Sequence, residues 1–211
     1  TSMGSWLTQN AGLDSLRQAG DFVESMWTLD NYRELLDVYG VGRAFLNSLM
    51  TASISVVLVL ALATIAGYSL AKLPVPKGRW ISAAFVSVML VPGPVLIIPI
   101  YLMLSKFELV GHLHGLVYLY AATNIPFGVF YMRATFLALP DGLLDAARID
   151  GAGFFRMFRS VALPNALAGL ATLAVLQFLG MWNELLYAFL LLPDQSDRLL
   201  TPALANIGGH F

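Results

Sequence analysis

Residues 44–71 read AFLNSLMTASISVVLVLALATIAGYSLA, a run of 28 residues without a charged side chain. An α-helix needs about 20 apolar residues to cross the hydrocarbon core of a bilayer, which is about 30 Å thick. The length of this uncharged run therefore predicts a membrane-spanning helix.

Three further stretches have the same character. Residues 80–105 carry no charge, residues 115–132 carry none and stay apolar to residue 139 apart from Arg133, and residues 160–183 carry none, with the apolar pattern resuming after Glu184. Barrel strands would instead show alternating segments of about 10 residues. The sequence predicts an all-α transmembrane bundle with spans at about 44–72, 80–105, 115–139 and 165–192.

The composition excludes an ordinary soluble domain. The chain is 58% hydrophobic and 12% charged, with a mean hydropathy of +0.72, whereas soluble domains are about 45–50% apolar and about 25% charged. A net charge of −1 and the lack of a basic run give no indication of a nucleic-acid partner. The absence of cysteine excludes disulfides and thiolate metal sites. The lipid bilayer is therefore the expected surroundings of most of the chain.

Lysine and arginine are unevenly divided between the two sets of alternating loops. One set carries Lys72, Lys77, Arg79, Arg133, Arg148, Arg156 and Arg159, and the other carries Arg17, Arg33, Arg43, Lys106 and Arg198. The positive-inside rule places the richer set in the cytoplasm. We expect residues 1–43 to form an external amphipathic segment and residues 44–211 to form the transmembrane domain. Because no secretory signal precedes the external segment, a further span is expected before residue 1.

Prolines interrupt two of the predicted spans. The second contains Pro92, Pro94 and Pro99, and the third contains Asn124 close to Pro126. Each interior proline removes a backbone hydrogen bond, and in hydrocarbon neighbouring helices or a cavity must satisfy the freed carbonyl. One interpretation is that these helices line a pathway and bend during gating. The other is that prolines are simply common in membrane helices.

The loop of residues 140–164 predicts a helix-turn-helix knob. Asp141 is expected to cap a short helix that runs to Arg148, and Asp150-Gly151 is expected to stop it, since glycine accepts the left-handed conformation that ends helices. A second amphipathic helix follows and ends at Pro164, with Phe154, Phe155 and Phe158 on one side and Arg156 and Arg159 on another. The physics of the segment also suits an interfacial helix that lies among lipid headgroups.

This loop resembles the EAA loop of the permeases of ATP-binding-cassette importers. The residues that carry the resemblance are Asp145-Ala146-Ala147, Asp150-Gly151-Ala152 and Leu163-Pro164, at the family's spacing. Asp145 departs from the usual glutamate. Further stretches are similar to carbohydrate permeases of the maltose/glycerol-phosphate type, in particular to the shorter of the two subunits: residues 31–36, 45–48, 67–73 and 182–184.

The resemblance implies a permease that performs no chemistry and needs no cofactor of its own. It implies a multi-pass protein of the bacterial inner membrane and a fragment with four to five of six core spans. The implied partners are a second permease subunit, a cytoplasmic ATPase dimer that uses ATP, and an extracytoplasmic solute-binding protein. Besides the residues just quoted, Phe155 belongs to the implied coupling loop, which would dock on the ATPase. The implied solute is a sugar.

Candidate solute contacts are few. Glu184 is the one acid within a predicted span, and intramembrane ionisable groups are functional candidates. Trp182 and Asn183 beside it could stack on a sugar and hydrogen-bond to it, and Asn124 is a further candidate. The alternative for Glu184 is that it only pairs with a helix terminus and orients the helix. The pair His112 and His114 has no further ligand in the pattern, so no metal site is predicted.

Two other classes of protein, and other solutes, stay open at this point. A secondary carrier would use Glu184 as an ion or proton relay and would show an inverted repeat, which the sequence lacks. A membrane-embedded enzyme would show a catalytic cluster such as His-Glu-x-x-His, which is also absent. A non-sugar solute such as glycerol phosphate or a polyamine fits the same permease pattern.

Overall fold

The computed structural model describes residues 40–193 and 198–208, so the predicted external segment, residues 1–43, lies almost wholly outside the described range. The chain divides into two compact units, Thr1–Gly42 and Arg43–Phe211, and the second carries the fold described here. Its helices are α1 (Val41–Lys72), α2 (Gly78–Met89), α3 (Ile97–Lys106), α4 (Leu113–Leu137), α5 (Asp141–Ile149), α6 (Phe154–Met157), α7 (Leu163–Asn165), α8 (Leu167–Trp182), α9 (Leu186–Leu191) and α10 (Leu200–Gly208). A 3-10 turn covers Gly93–Leu96 and a π-helical turn covers Phe158–Ala162.

Helix α1 is arranged inside out by the standards of a soluble helix. Its buried face carries the polar side chains Asn47, Ser48, Thr51, Ser55 and Thr64, together with small residues at helical spacing. Its large apolar side chains point outward; Val57 is 64% exposed and Ile65 is 58% exposed. An apolar outer surface is stable in a bilayer and not in water. This pattern supports the prediction of a membrane span.

Helix α4 is the centre of the bundle, because it contacts α1, α2, α8 and α9. Gly128 lies so close to α1 that a Cβ atom there would be 2.9 Å from the Ala63 Cβ. Gly67 of α1 is equally close to the backbone of α4: a Cβ atom added at Gly67 would be 2.8 Å from the backbone nitrogen of Arg133. Small residues allow such close approach, which is the usual basis of helix packing in membranes.

The second and fourth predicted spans are broken where the sequence prediction drew single segments. Residues 80–105 become α2 and α3, and the two halves are bent by 90° around Pro92 and Pro94. The Tyr187 hydroxyl donates to the carbonyl of Gly93 in this break, at 3.0 Å. A side chain from a neighbouring helix therefore supplies a donor to a backbone carbonyl within the break. Pro126, by contrast, lies inside α4, which stays one continuous helix.

The fourth predicted span, residues 165–192, is divided among three helices. It is bent by 70° between Asn165 and Leu167 and interrupted again after Trp182. By length and composition, α1 alone qualifies as an unbroken span within the described range, and each of the two bent pairs qualifies if counted as one span. Helix α4, with 25 residues, is not among these candidates.

Candidate functional site

Residues 140–164 form a knob between α4 and α8, as the sequence predicts. Helix α5 ends in a Schellman motif, in which the Gly151 N–H donates to the Arg148 carbonyl at 3.0 Å and the Ala152 N–H donates to the Ala147 carbonyl at 2.9 Å. Gly151 has a φ of +74°, in the left-handed region. The prediction that Asp150-Gly151 stops the first helix is confirmed.

The predicted cap at the start of α5 is wrong. Pro140 occupies the N-cap position, and Asp141 is the first helical residue. The Asp141 carboxylate accepts a hydrogen bond from the Lys72 Nζ at 2.6 Å. That hydrogen bond, together with the charge of Lys72, lowers the pKa of Asp141 below its ordinary value. The carboxylate still lies at the positive end of the α5 dipole, where a negative charge is favourable.

The outer surface of the knob is small and apolar. Asp145 pairs with Arg148 at 2.6 Å along the exposed face of α5, beside the exposed Ala146. Ile149 is 87% exposed and Phe155 is 68% exposed, although both are large apolar residues. A Cβ atom at Gly151 would meet nothing within 4 Å in this chain. Exposed apolar side chains of this size suit a surface that a partner protein covers, and they also suit a helix that lies among lipid headgroups.

The base of the knob is an aromatic cluster around Tyr68 of α1. The Tyr68 ring lies 5.3 Å from Phe136, 5.6 Å from Phe154 and 5.0 Å from Phe158, measured between ring centroids. The sequence prediction grouped Phe155 with the other two phenylalanines of the loop. Phe155 instead points outward, because successive residues of a helix point about 100° apart.

The predicted coupling residues occupy two parts of the knob. Asp145, Ala146, Ala147, Asp150, Gly151 and Ala152 lie together on α5 and its terminal turn. Leu163 and Pro164 follow the π-helical turn, near the end of the continuous helical stretch Phe154–Asn165. The chain then bends at Ala166, which is buried.

Glu184 is fully engaged within the chain. Its Oε1 accepts from the Tyr187 N–H at 2.9 Å, and its Oε2 accepts from the Ala188 N–H at 3.1 Å and from the Tyr120 hydroxyl at 2.8 Å. The carboxylate therefore satisfies the free N–H groups at the start of α9 and ties that helix to α4. This geometry favours the interpretation that Glu184 orients a helix.

The other candidate solute contacts also have partners in the chain. The Trp182 ring stacks on Phe178 at 5.5 Å and meets the edge of Phe45 at 5.4 Å. Asn183 donates to the Leu179 carbonyl at 2.8 Å, and Asn124 donates to the Tyr120 carbonyl at 2.9 Å. Each asparagine keeps its side-chain oxygen as an acceptor. The structure does not bring Asn124 and the segment 182–184 into direct hydrogen-bonded contact.

Three residues with clear structural roles were missed from the sequence. Ile149 is one that the pattern could have shown, because it lies between charged residues and 140° around the helix from the buried Leu144. Gln177 is a polar residue inside an apolar segment, and its side chain donates to the Asn124 carbonyl at 3.3 Å. Lys72 gave no local signal beyond its charge, because its partners lie more than sixty positions away.

The histidine pair shows no metal site. The rings of His112 and His114 are stacked with centroids 5.0 Å apart. Within the part of the chain that the structure describes, no group of three histidine, aspartate or glutamate side chains could hold a metal ion.

The chain is similar to one family of transport proteins and to individual permeases. The family described as "Binding-protein-dependent transport system inner membrane component" matches residues 62–207. The chain is 32% identical to the diacetylchitobiose uptake system permease protein of Streptomyces coelicolor, over 92% of this chain and 66% of that protein. It is 35% identical to the alpha-glucoside transport system permease protein of Rhizobium meliloti, over 87% of this chain and 50% of that protein.

A solved structure shares the fold. The crystal structure of a bacterial ABC transporter involved in the import of the acidic polysaccharide alginate matches with a TM-score of 0.72 at 23% identity. The match covers 83% of this chain and 60% of that chain. The chain therefore spans about two thirds or less of each of these three proteins.

Proposed function

Because the chain belongs to the family of binding-protein-dependent transport system inner membrane components, we propose that it is the membrane-spanning permease subunit of an ATP-binding-cassette importer. Its helices form part of the path for a solute, and it performs no chemistry and holds no cofactor. The location that follows is the bacterial inner membrane, with several spans. An extracytoplasmic binding protein delivers the solute.

Coupling to a cytoplasmic ATPase is assigned to the knob of residues 140–164. The observation that carries this proposal is the exposed apolar surface at its outer end, where the described residues leave Ile149 and Phe155 largely exposed. Ala146 and Gly151 add little side-chain bulk to that surface, so an ATPase groove can approach the backbone closely. The Schellman motif holds the turn in one conformation, so the knob can transmit force in both directions. Closure of the ATPase and binding of the solute would then both shift the equilibrium between two conformations of the same permease.

The proposed solute is a sugar. Two of the relatives that resemble the chain over most of its length are named for the uptake of diacetylchitobiose and of alpha-glucosides. A second permease subunit completes the path; α2 buries no residue within this chain, so its surface is available to another subunit or to lipid. A proton-coupled carrier is disfavoured, because both carboxylate oxygens of Glu184 already accept hydrogen bonds.

The test of the solute class is uptake into vesicles that contain the complete complex with the full-length protein. The panel consists of labelled diacetylchitobiose, maltose, sn-glycerol 3-phosphate and putrescine. We expect ATP-dependent accumulation of one of the two sugars. Accumulation of glycerol phosphate or putrescine alone would contradict the assignment of a sugar as the solute, but it would be consistent with the assignment of an importer. Uptake driven by a proton gradient without ATP would contradict the importer itself.

The test of the coupling surface is Gly151→Leu. A side chain at a φ of +74° is strained by about 1–2 kcal/mol and also projects from the outer surface. We expect the permease to reach the membrane at its normal level while the ATPase co-purifies poorly, or hydrolyses ATP without uptake. Gly142→Leu is the matched control, since Gly142 is open in the same way but has no positive φ and lies at the start of α5. Normal uptake and normal ATPase retention with Gly151→Leu would show that this surface does not dock.

A further inference from the structure

Lys72 is a lysine whose side chain is only 7% exposed, at the last turn of α1. Its Nζ donates to the Leu139 carbonyl at 2.8 Å and to the Asp141 carboxylate at 2.6 Å. The Asp141 carboxylate is 81% exposed, so this ion pair lies at the protein surface while the stem of Lys72 is buried. One partner, Leu139, lies in the short segment that follows α4, and the other, Asp141, is the first residue of α5 in the knob.

The three helix ends that meet at Lys72 have complementary electrostatics. Leu139 lies just beyond the C-terminal end of α4, where backbone carbonyls lack helical partners and a cation is favourable. Asp141 lies in the first turn of α5, where an anion is favourable. One ammonium group therefore bridges the negative end of α4 and the acid at the start of α5, and it belongs to α1.

A second contact between α1 and the knob lies one helical turn away. Tyr68 is four residues before Lys72, on the same face of α1, and its buried ring packs on Phe154 and Phe158. The polar contact holds the start of the knob and the aromatic contact holds its second half. The knob is thus attached to α1 at two points, in addition to its covalent connections to α4 and α8.

We infer that Lys72 is a positioning residue for coupling: it fixes the knob to α1, so that α1 moves with the knob when the ATPase closes. This inference rests on the proposed coupling function of residues 140–164. It adds that the first span belongs to the moving unit, although the chain connects the knob only to α4 and α8. Lys72 contacts neither the solute nor the ATPase.

The expected consequence of losing this contact is partial uncoupling rather than loss of docking. Lys72→Met keeps the length and the apolar stem of the side chain but removes the ammonium group. The docking surface at Ile149, Gly151 and Phe155 stays intact, so the ATPase should still co-purify. We expect uptake per ATP hydrolysed to fall by about tenfold. Lys72→Arg, which keeps the charge and the donors, should restore most of the ratio.

The experiment compares these variants in the complete complex reconstituted in vesicles. The readouts are permease level, ATPase co-purification, ATP hydrolysis, and uptake of whichever labelled sugar of the panel the parent accumulates best. Lys77→Met is the matched control, because Lys77 is an exposed lysine of the same loop with the same change of charge. Asp141→Asn is the second variant, used if Lys72→Met does not accumulate, since it weakens one contact and leaves the lysine–carbonyl bond.

The uptake-to-hydrolysis ratios and the protein levels separate the possibilities. A lower uptake-to-hydrolysis ratio with Lys72→Met or Asp141→Asn, and its recovery with Lys72→Arg, supports the inference. A ratio equal to that of Lys77→Met overturns it, and so does a lower protein level with an unchanged ratio, which would mean that Lys72 serves stability alone. If Gly151→Leu also leaves coupling normal, the proposed function of the knob fails as well. If Gly151→Leu uncouples and Lys72→Met does not, only the inference about Lys72 is lost.

Discussion

At the scale of single residues, Glu184 shows how a structure adds partners that a sequence does not reveal. An acid within an apolar segment indicates either a contact with solute or a structural partner that the sequence does not reveal. The partners turn out to be the Tyr187 and Ala188 N–H groups, three and four residues ahead, and Tyr120, sixty-four positions away. The local part of this arrangement was predictable from helix capping. The tertiary part was not.

The prediction for Glu184→Gln follows from the geometry. The Glu184 carboxylate offers two acceptor oxygens to three donors, whereas the glutamine amide offers only one oxygen. At least one buried N–H group therefore loses its partner. We expect a loss of about 1–3 kcal/mol in stability and an unchanged apparent KM for uptake. Thermal unfolding of the purified complex and uptake kinetics per assembled complex measure the two quantities. Glu108→Gln is the control, since Glu108 is exposed. A changed KM with unchanged stability would restore Glu184 as a solute contact.

At the scale of helices, uncharged runs predicted where the chain crosses the membrane but not where it bends. The break at Pro92 and Pro94 could be anticipated, since proline removes a backbone donor. The breaks near Ala166 and after Trp182 had only local signals, Pro164 before the first and the polar pair Asn183-Glu184 at the second, and neither signal fixes a bend. Those bends depend on what α8 and α9 pack against, which is information that lies elsewhere in the chain.

Glycine packing between α1 and α4 gives a prediction at the same scale. Gly128→Ala would place a methyl group 2.9 Å from the Ala63 Cβ and 3.0 Å from the Val59 Cγ1, so the helices must separate. We expect destabilisation of about 1–3 kcal/mol from overpacking. Gly180→Ala, where a Cβ meets nothing within 4 Å of this chain, should be neutral or stabilising by up to about 1 kcal/mol. Thermal unfolding midpoints of the complete complex measure both changes, and equal midpoints for the two variants would contradict the close packing.

At the scale of the whole molecule, contacts between distant segments agree with the alternation of loops deduced from charge. The basic loop after α1 meets the knob through Lys72 and Asp141. Near the beginning of α1, Ser48 accepts from the Leu200 N–H at 2.8 Å and Asn47 donates to the Arg198 carbonyl at 3.3 Å. The two ends of α1 therefore contact different loops, and for these loops the contacts agree with the grouping deduced from charge. Which end faces the cytoplasm depends on the positive-inside rule alone.

Thiol labelling decides that orientation, and residues 1–211 contain no cysteine that would react beside the introduced one. We expect Lys106→Cys to react with a membrane-impermeant reagent on intact spheroplasts, and Lys77→Cys and Arg156→Cys to react only after permeabilisation. All three side chains are exposed, so differences in burial within the chain do not account for the expected pattern. Arg156 lies on the knob, where a docked ATPase would also protect it, whereas Lys77 lies outside the docking surface and is therefore the deciding position. Labelling of Lys77→Cys on intact spheroplasts, with Lys106→Cys protected, would show the opposite orientation in the membrane. The knob would then lie outside the cell, and the basis for coupling to a cytoplasmic ATPase would be lost.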